Sequence, residues 1–182
     1  VGGGLSYSSL NATHHALEDI AFLRIIPNMT VICPGDAWEV RSAIRAAFEI
    51  DGPVYIRLAK KNEPLIHNGI PKFEIGKGIV IRPGTDVCFL NAGSLLPSAV
   101  AASEALLKIG ISVEVVSMHT VKPLDETLLK DVFSKFKHVQ NSQSLQNPKC
   151  SLSFLVWRAR RTAPDVLLLR DAHYDSSAVG VR

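Results

Sequence analysis

Several features that would assign this 182-residue chain to a specialised class of protein are missing from its sequence. Its three cysteines, Cys33, Cys88 and Cys150, lie far apart and form no C-x-x-C motif, so we expect reduced thiols rather than a disulfide framework. No apolar run approaches the roughly 20 residues that a membrane-spanning helix needs. No basic segment followed by an apolar one indicates a secretory signal. We therefore expect a cytoplasmic protein without a membrane partner.

The sequence also lacks a charge excess over most of its length, and it lacks histidines at the spacing of metal ligands. The formal net charge is +3, but residues 1–139 contain 14 basic and 14 acidic side chains, so the whole excess lies in residues 140–182. A body without a basic excess is not expected to bind nucleic acid. The six histidines show no ligand spacing beyond the adjacent pair His14 and His15. Adjacent side chains on a helix point about 100° apart and rarely chelate one ion, so we assign no metal ligand.

The first 68 residues alternate helical and strand patterns. A helix is expected to begin after Thr13 as its N-cap, with His14 at the first helical position, and to end just before Pro27. The elements expected next are a strand over Thr30–Cys33, a helix capped by Asp36 with Val40, Ile44, Ala47 and Phe48 on its apolar face, and a strand over Pro53–Leu58. This order is typical of the back half of a doubly wound α/β domain.

A second unit of the same kind follows a polar connection over residues 59–78, which contains two prolines and three glycines. The elements expected there are strands over residues 79–81, 87–90, 113–116 and 136–139 and helices over residues 94–109 and 123–134. The sequence therefore predicts an α/β fold of two consecutive, mostly parallel β-α-β units. We place the units at residues 1–68 and 69–139.

Residues 140–182 break this pattern. The segment after Gln140 is polar and aperiodic, and arginine replaces the lysine preference of the preceding residues. In sequences shaped by natural selection, local secondary-structure propensity agrees with the overall fold, and in this segment the two do not agree. We interpret residues 140–182 as an atypical, irregular tail, either a lineage-specific extension or the product of a reading-frame shift near codon 140.

A set of motifs in residues 1–139 resembles the thiamine-diphosphate-dependent transketolase family. The motifs are THHALEDIAFLR at residues 13–24, IPNM at 26–29, CPGD at 33–36, GPVYIRLAK at 52–60, DVCFLNAGS at 86–94 and VKPLD at 121–125. The chain is similar to the second half of the pyrimidine-binding domain followed by the C-terminal domain. Similar segments occur in 1-deoxyxylulose-5-phosphate synthase and in the C-terminal subunits of split transketolases.

The resemblance implies an enzyme of carbohydrate metabolism that transfers a two-carbon ketol unit between sugar phosphates with thiamine diphosphate and Mg²⁺. In that family the cofactor's diphosphate and the metal are held by a pyrophosphate-binding domain, and the active site lies between subunits. Neither the G-D-G…N metal motif nor the activating glutamate of the family is found in this sequence. The implied partner is therefore an N-terminal transketolase subunit or domain, in a homo- or hetero-oligomer such as a dimer, and the chain alone is expected to be inactive.

The resemblance also implies roles for four residues. His14 matches the family's substrate histidine and is the candidate catalytic residue, while His15 matches the second histidine of the synthase branch. Lys60 stands where the family has a phosphate-binding arginine, and Arg57 matches an arginine of the synthase branch, so both are candidates for substrate binding. The acidic-Asp-Gly-Pro segment that usually precedes the histidines is replaced by Ser9–Ala12.

Two alternative functions stay open at this point. A 2-oxo-acid dehydrogenase beta subunit would use the same cofactor, although THH at residues 13–15 and IPN at 26–28 favour transketolase. A non-catalytic α/β interaction module is the alternative outside the cofactor class.

Overall fold

The structure is a computed structural model that describes residues 2–4, 13–60, 63–143 and 155–158. Its strands form a three-stranded and a five-stranded sheet, and helices pack against both sheets. The α/β class predicted from the sequence is confirmed. No helix among the described residues is long and apolar enough to cross a membrane.

The first sheet is built around a short, fully buried strand. Its elements in chain order are α1 (Asp19–Ile25), β1 (Thr30–Ile32), α2 (Ala37–Ala47) and β2 (Val54–Ile56). Strand β1 pairs with β2 in parallel, as expected for two strands joined by a crossover helix. On its other side β1 pairs in antiparallel fashion with β6 (Thr120–Lys122), which the sequence did not predict. The second half of the chain therefore completes the sheet of the first.

Helix α1 begins at Asp19, five residues later than predicted. Thr13 does not cap it, because Ala16 donates its N–H to the Gly4 carbonyl at 3.0 Å and accepts the Gly4 N–H at 2.9 Å. A residue whose backbone groups pair outside the helix cannot continue helical hydrogen bonding. Glu18 is the N-cap instead, without a side-chain capping bond. The predicted end is confirmed, since Ile26 is extended before Pro27.

Helix α2 is capped as predicted but buries a different face. The Asp36 side chain accepts the Glu39 N–H at 2.9 Å. The buried side chains of the helix are Glu39, Ser42 and Ala43, whereas Phe48 is 85% exposed. The apolar face predicted for α2 is therefore wrong in its C-terminal half, because buried polar contacts hold the helix at its N-terminal end.

The second sheet has parallel centre strands and antiparallel edge pairs. Its strands, in the order β3-β5-β4-β7-β8, are β3 (Ile79–Arg82), β5 (Val113–Ser117), β4 (Val87–Ala92), β7 (His138–Gln143) and β8 (Leu155–Arg158). Strand β4 is parallel to both β5 and β7, and the connections contain helices α3 (Leu96–Leu107) and α4 (Glu126–Lys135). The edge pairs β3–β5 and β7–β8 are antiparallel, so the sheet is mixed.

Residues 140–143 do not begin the irregular tail that the sequence predicted. Strand β7 continues to Gln143 because β4 offers hydrogen-bonding partners along six residues, ending with Ala92 opposite Gln143. Backbone pairing does not require apolar side chains, so the polar sequence is no obstacle. Residues 155–158 form β8 beside β7. Residues 144–154 and 159–182, where the other tail predictions fall, lie outside the described residues.

A buried polar cluster joins the two parts of the chain. Asp36 accepts the N–H groups of Ile66 and His67 at 2.9 and 2.8 Å, which attaches the connection to the start of α2. The His67 Nε2 lies 3.7 Å from Glu39 Oε1. From the second part, His119 is fully buried and stacks on Phe73 with ring centroids 3.9 Å apart.

Burial sets the pKa values of this cluster. It lowers the pKa of His119 to about 4, because the charged imidazolium loses its hydration, and the nearby His67 acts in the same direction. Burial raises the pKa of Glu39. Burial also acts to raise the pKa of Asp36, but its N–H donors, His67 first among them, hold it below the ordinary value. Burial thus favours the neutral form of His119, and the N–H donors favour the ionised form of the Asp36 helix cap.

Candidate active site

The two candidate histidines lie in a turn before α1 rather than at its N-terminus. Thr13 and His14 are exposed, and the Thr13 hydroxyl lies 3.0 Å from His14 Nδ1. His15 is half-buried, and its Nε2 is buried without a hydrogen-bond partner among the described residues. Because α1 begins only at Asp19, the predicted placement of His14 at the first helical position is wrong.

Arg57 is buried next to this turn. Its side chain is 5% exposed, and Nη2 donates to the Ala16 carbonyl at 2.5 Å. Nε donates to Asp19 Oδ2 at 2.9 Å, and Nη2 also donates to Oδ1 at 3.1 Å, a forked contact with the carboxylate. The structure therefore brings the predicted Arg57 to the histidine segment and occupies its guanidinium with protein groups. Its predicted contact with substrate stays a prediction.

Asp19 and Tyr55 belong to the same network, and sequence reasoning missed both. The Tyr55 hydroxyl donates to Asp19 Oδ2 at 2.7 Å. Burial and this hydrogen bond to a carboxylate raise the pKa of Tyr55. Tyr55 and Arg57 are two residues apart, so strand geometry directs both side chains toward the same face of the sheet. The sequence signal that could have identified the network was the two-residue spacing of Tyr55 and Arg57, together with an acidic residue, Asp19, near the predicted helix.

Lys60 lies on the same chain segment but in a different environment. It is exposed, three residues beyond the buried Arg57. The glycine segment runs alongside, with Gly2 N–H donating to Ala59 O at 3.4 Å and Gly3 N–H donating to Leu58 O at 2.9 Å. Because Gly4 pairs with Ala16, residues 2–4 connect the histidine turn to the end of the β2 segment. The four predicted residues thus lie on two segments that the glycines join, and their roles stay predictions.

The described residues contain no group of three or more His, Cys, Asp or Glu side chains able to hold a metal ion. We therefore assign no Mg²⁺ ligand to the described part of this chain. Burial raises the pKa of Cys33 to about 12, although the charge of Arg57 acts to lower it. A thiol that is protonated at neutral pH is not an activated nucleophile.

Two family profiles match successive parts of the chain. The transketolase pyrimidine-binding domain matches residues 2–64, and the transketolase C-terminal domain matches residues 76–140. The chain belongs to the transketolase family. The resemblance inferred from the motifs is confirmed, and the matched segments contain the histidine turn, Arg57 and Lys60.

Individual relatives lie in two branches of the transketolase family. A predicted transketolase C-terminal section of Methanocaldococcus jannaschii is 40% identical over 129 residues, which are 70% of this chain and 41% of the relative. A 1-deoxy-D-xylulose-5-phosphate synthase of Bacillus licheniformis is 39% identical over 126 residues, covering 68% of this chain and 20% of the synthase. The chain therefore spans less than half the length of either relative.

A solved structure shares the fold. A split-gene transketolase, described as an inactive β4 tetramer, superposes with a TM-score of 0.70 at 35% identity. The match covers 78% of this chain and 45% of the other.

Proposed function

We propose that this chain supplies the histidine-bearing part of a thiamine-diphosphate-dependent, transketolase-like transferase and works only with a partner that holds the cofactor's diphosphate and Mg²⁺. The observation that carries the proposal is the junction of the histidine turn with the Arg57–Lys60 segment within the matched pyrimidine-binding domain. The split-gene relative supports the division into separate parts. We also propose a cytoplasmic location, since the described cysteines are free and buried.

The proposed reaction is transfer of a two-carbon ketol unit between sugar phosphates. Thiamine diphosphate supplies the carbanion chemistry when the assembly binds it. In this assignment the exposed His14 hydrogen-bonds oxygens of the donor sugar, and the Lys60 ammonium attracts the substrate's phosphate. The chain's own contribution is thus to orient and hold substrate.

The synthase branch is the second candidate. Both THH at residues 13–15 and Arg57 match that branch, and a synthase is among the relatives. Formation of 1-deoxy-D-xylulose 5-phosphate by the assembly, without ketol transfer, would favour this candidate over transketolase.

Cofactor binding tests the proposed division of labour. Calorimetric titration of the isolated chain with thiamine diphosphate and Mg²⁺ should give weak binding or none. The same titration of the chain mixed with an N-terminal transketolase subunit should give Mg²⁺-dependent binding. Tight, Mg²⁺-dependent binding to the chain alone would refute the division.

A further inference from the structure

The backbone just after the two histidines is held by three hydrogen bonds. The Ala16 carbonyl accepts from Arg57 Nη2 at 2.5 Å and from Gly4 N at 2.9 Å, and the Ala16 N–H donates to Gly4 O at 3.0 Å. His15 is the adjacent residue and His14 the next one back. Because these residues precede α1, helical hydrogen bonds do not hold Ala16 in place. Gly4 and Arg57 therefore hold the backbone at the residue that follows the histidines.

Arg57 is itself held in one orientation. Asp19 accepts two of its N–H groups, and Tyr55 donates a third hydrogen bond to the same carboxylate. A planar guanidinium bound by both Nε and Nη2 has a fixed direction, which a lysine ammonium would not have. Gly3 packs directly against it, since a Cβ at residue 3 would lie 2.9 Å from Arg57 Nε.

We propose that Arg57 and Asp19 are positioning residues, which hold the His14–His15 turn in register through the Ala16 carbonyl. The inference rests on the proposed function for its kinetic consequences and on the geometry for its structural ones. At 5% exposure and with its donors on Asp19 and Ala16, Arg57 acts on substrate through the histidines rather than by direct contact. Small misplacements of a catalytic group reduce turnover strongly, whereas a lost substrate contact raises KM.

The structural arm of the test needs no enzyme activity. The full chain is labelled at histidine and at Ala16, and the ring signals of His14 and His15 are assigned with His→Gln variants. Arg57→Gln should shift both ring signals and speed amide exchange at Ala16 by about tenfold, because one of its anchors is lost. Arg57→Lys should recover part of the effect, and Tyr55→Phe should give a smaller change. Arg82→Gln is the matched control, since Arg82 also pairs with an acidic side chain, Glu104, but on the second sheet.

The kinetic arm uses the chain assembled with an N-terminal transketolase subunit. Arg57→Gln should lower kcat by about tenfold to a hundredfold, with the KM for phosphorylated substrate changed less than about twofold. Arg57→Lys should be intermediate, and Arg82→Gln should match the parent.

Two results would overturn the proposal. One is an unchanged pair of histidine signals in Arg57→Gln, whatever the activity. The other is a raised KM at constant kcat, which would make Arg57 a substrate ligand. If Arg57→Gln fails to fold, Arg57→Lys and Tyr55→Phe carry the same comparison. If the parent assembly is inactive while the signals shift as expected, the proposed function fails and the positioning role stands.

Discussion

His14 and His15 are neighbours in the sequence but occupy different environments, which decides how each should respond to substitution. His14 is exposed and bonded to Thr13, while His15 turns its Nε2 inward. A group that contacts substrate must be accessible, so the structure is compatible with the role predicted for His14. The buried Nε2 of His15 points to a supporting role.

In the assembly, His14→Ala should lower kcat by about a hundredfold, because a positioned hydrogen-bonding imidazole is lost. His15→Ala should lower it by less than about tenfold. Steady-state rates of ketol transfer, with circular dichroism to confirm folding, make the comparison. Equal and small effects of both substitutions would remove the pair from the active site.

Lys60→Ala should raise the KM for phosphorylated substrates by about tenfold and leave kcat nearly unchanged, because it removes charge pairing made equally in the ground and transition states. Lys72→Ala, an exposed lysine of the connection, is the control. The comparison of phosphorylated with unphosphorylated substrates isolates the effect of charge. An effect on kcat alone would exclude the proposed role.

His119 should make the chain sensitive to acid. Its pKa is about 4 in the folded chain against an ordinary value of 6.5, so only the unfolded state takes up a proton as the pH falls between these values. Stability should therefore fall by roughly 2–3 kcal/mol from pH 6.5 to pH 4. Glu39, whose pKa is raised, acts in the opposite direction, and Asp36 loses its contribution only at lower pH.

Urea unfolding of the parent and of His119→Gln across this pH range measures the effect. The variant should lose less stability on acidification, and His138→Gln, at an exposed histidine, should follow the parent. Parallel curves for all three proteins would show that His119 does not control acid stability.

At the scale of elements, helix and strand order was largely predictable because each element carries a local signal. Asp36 caps α2 as predicted, and Gly110 follows α3 with the positive φ of 83° that favours glycine. Asp125 caps α4, whose predicted start at residue 123 was three residues too early. The start of α1 was not predictable, because the Gly4–Ala16 pairing that delays it is a tertiary contact. Strand β6 was missed for the same reason, since it is only three residues long and depends on β1.

The same distinction explains the candidate site. The resemblance to the family identified His14, Arg57 and Lys60 as candidates, but the positioning role proposed for Arg57 rests on Asp19, which is 38 residues away. Periodicity carries no information about such a pair. The burial of Glu39 was also not predictable from hydrophobic periodicity. A charged residue on the inner face of a helix needs hydrogen-bonding partners, such as the Gly35 N–H, which donates to Glu39 Oε2 at 2.7 Å.

The N-cap of α2 should contribute more to the free energy of unfolding than the N-cap of α4. Asp36 accepts the N–H groups of Glu39, Ile66 and His67. Asp125 accepts the Leu128 and Gly78 N–H groups at 3.1 Å each, and the exposed Lys77 Nζ lies 3.8 Å from its Oδ1. Asp36→Ala should therefore cost about 2–3 kcal/mol and Asp125→Ala about 1 kcal/mol in unfolding free energy. Chemical denaturation measures both. Equal losses would mean that the contacts from the connection add nothing.

At the scale of the whole molecule, the two parts of the chain are not independent in the structure. Lys122 Nζ donates to the carbonyls of Arg24 and Ile26, and the Cys33 N–H donates to the His119 carbonyl. Ala92 and Val121 of the second part pack with Ile20 and Val31 of the first. The division near residue 68 stays a prediction about domains, and these contacts show that both parts share one buried core.

Activity of the reconstituted assembly tests the central claim most directly. A fixed amount of an N-terminal transketolase subunit, with thiamine diphosphate and Mg²⁺, is titrated with the full chain, and ketol transfer between sugar phosphates is measured. The account predicts no transfer by either component alone and a rate that rises and saturates as the chain is added. Transfer by the chain alone, or no transfer at any ratio with a folded subunit that binds it, would contradict the account.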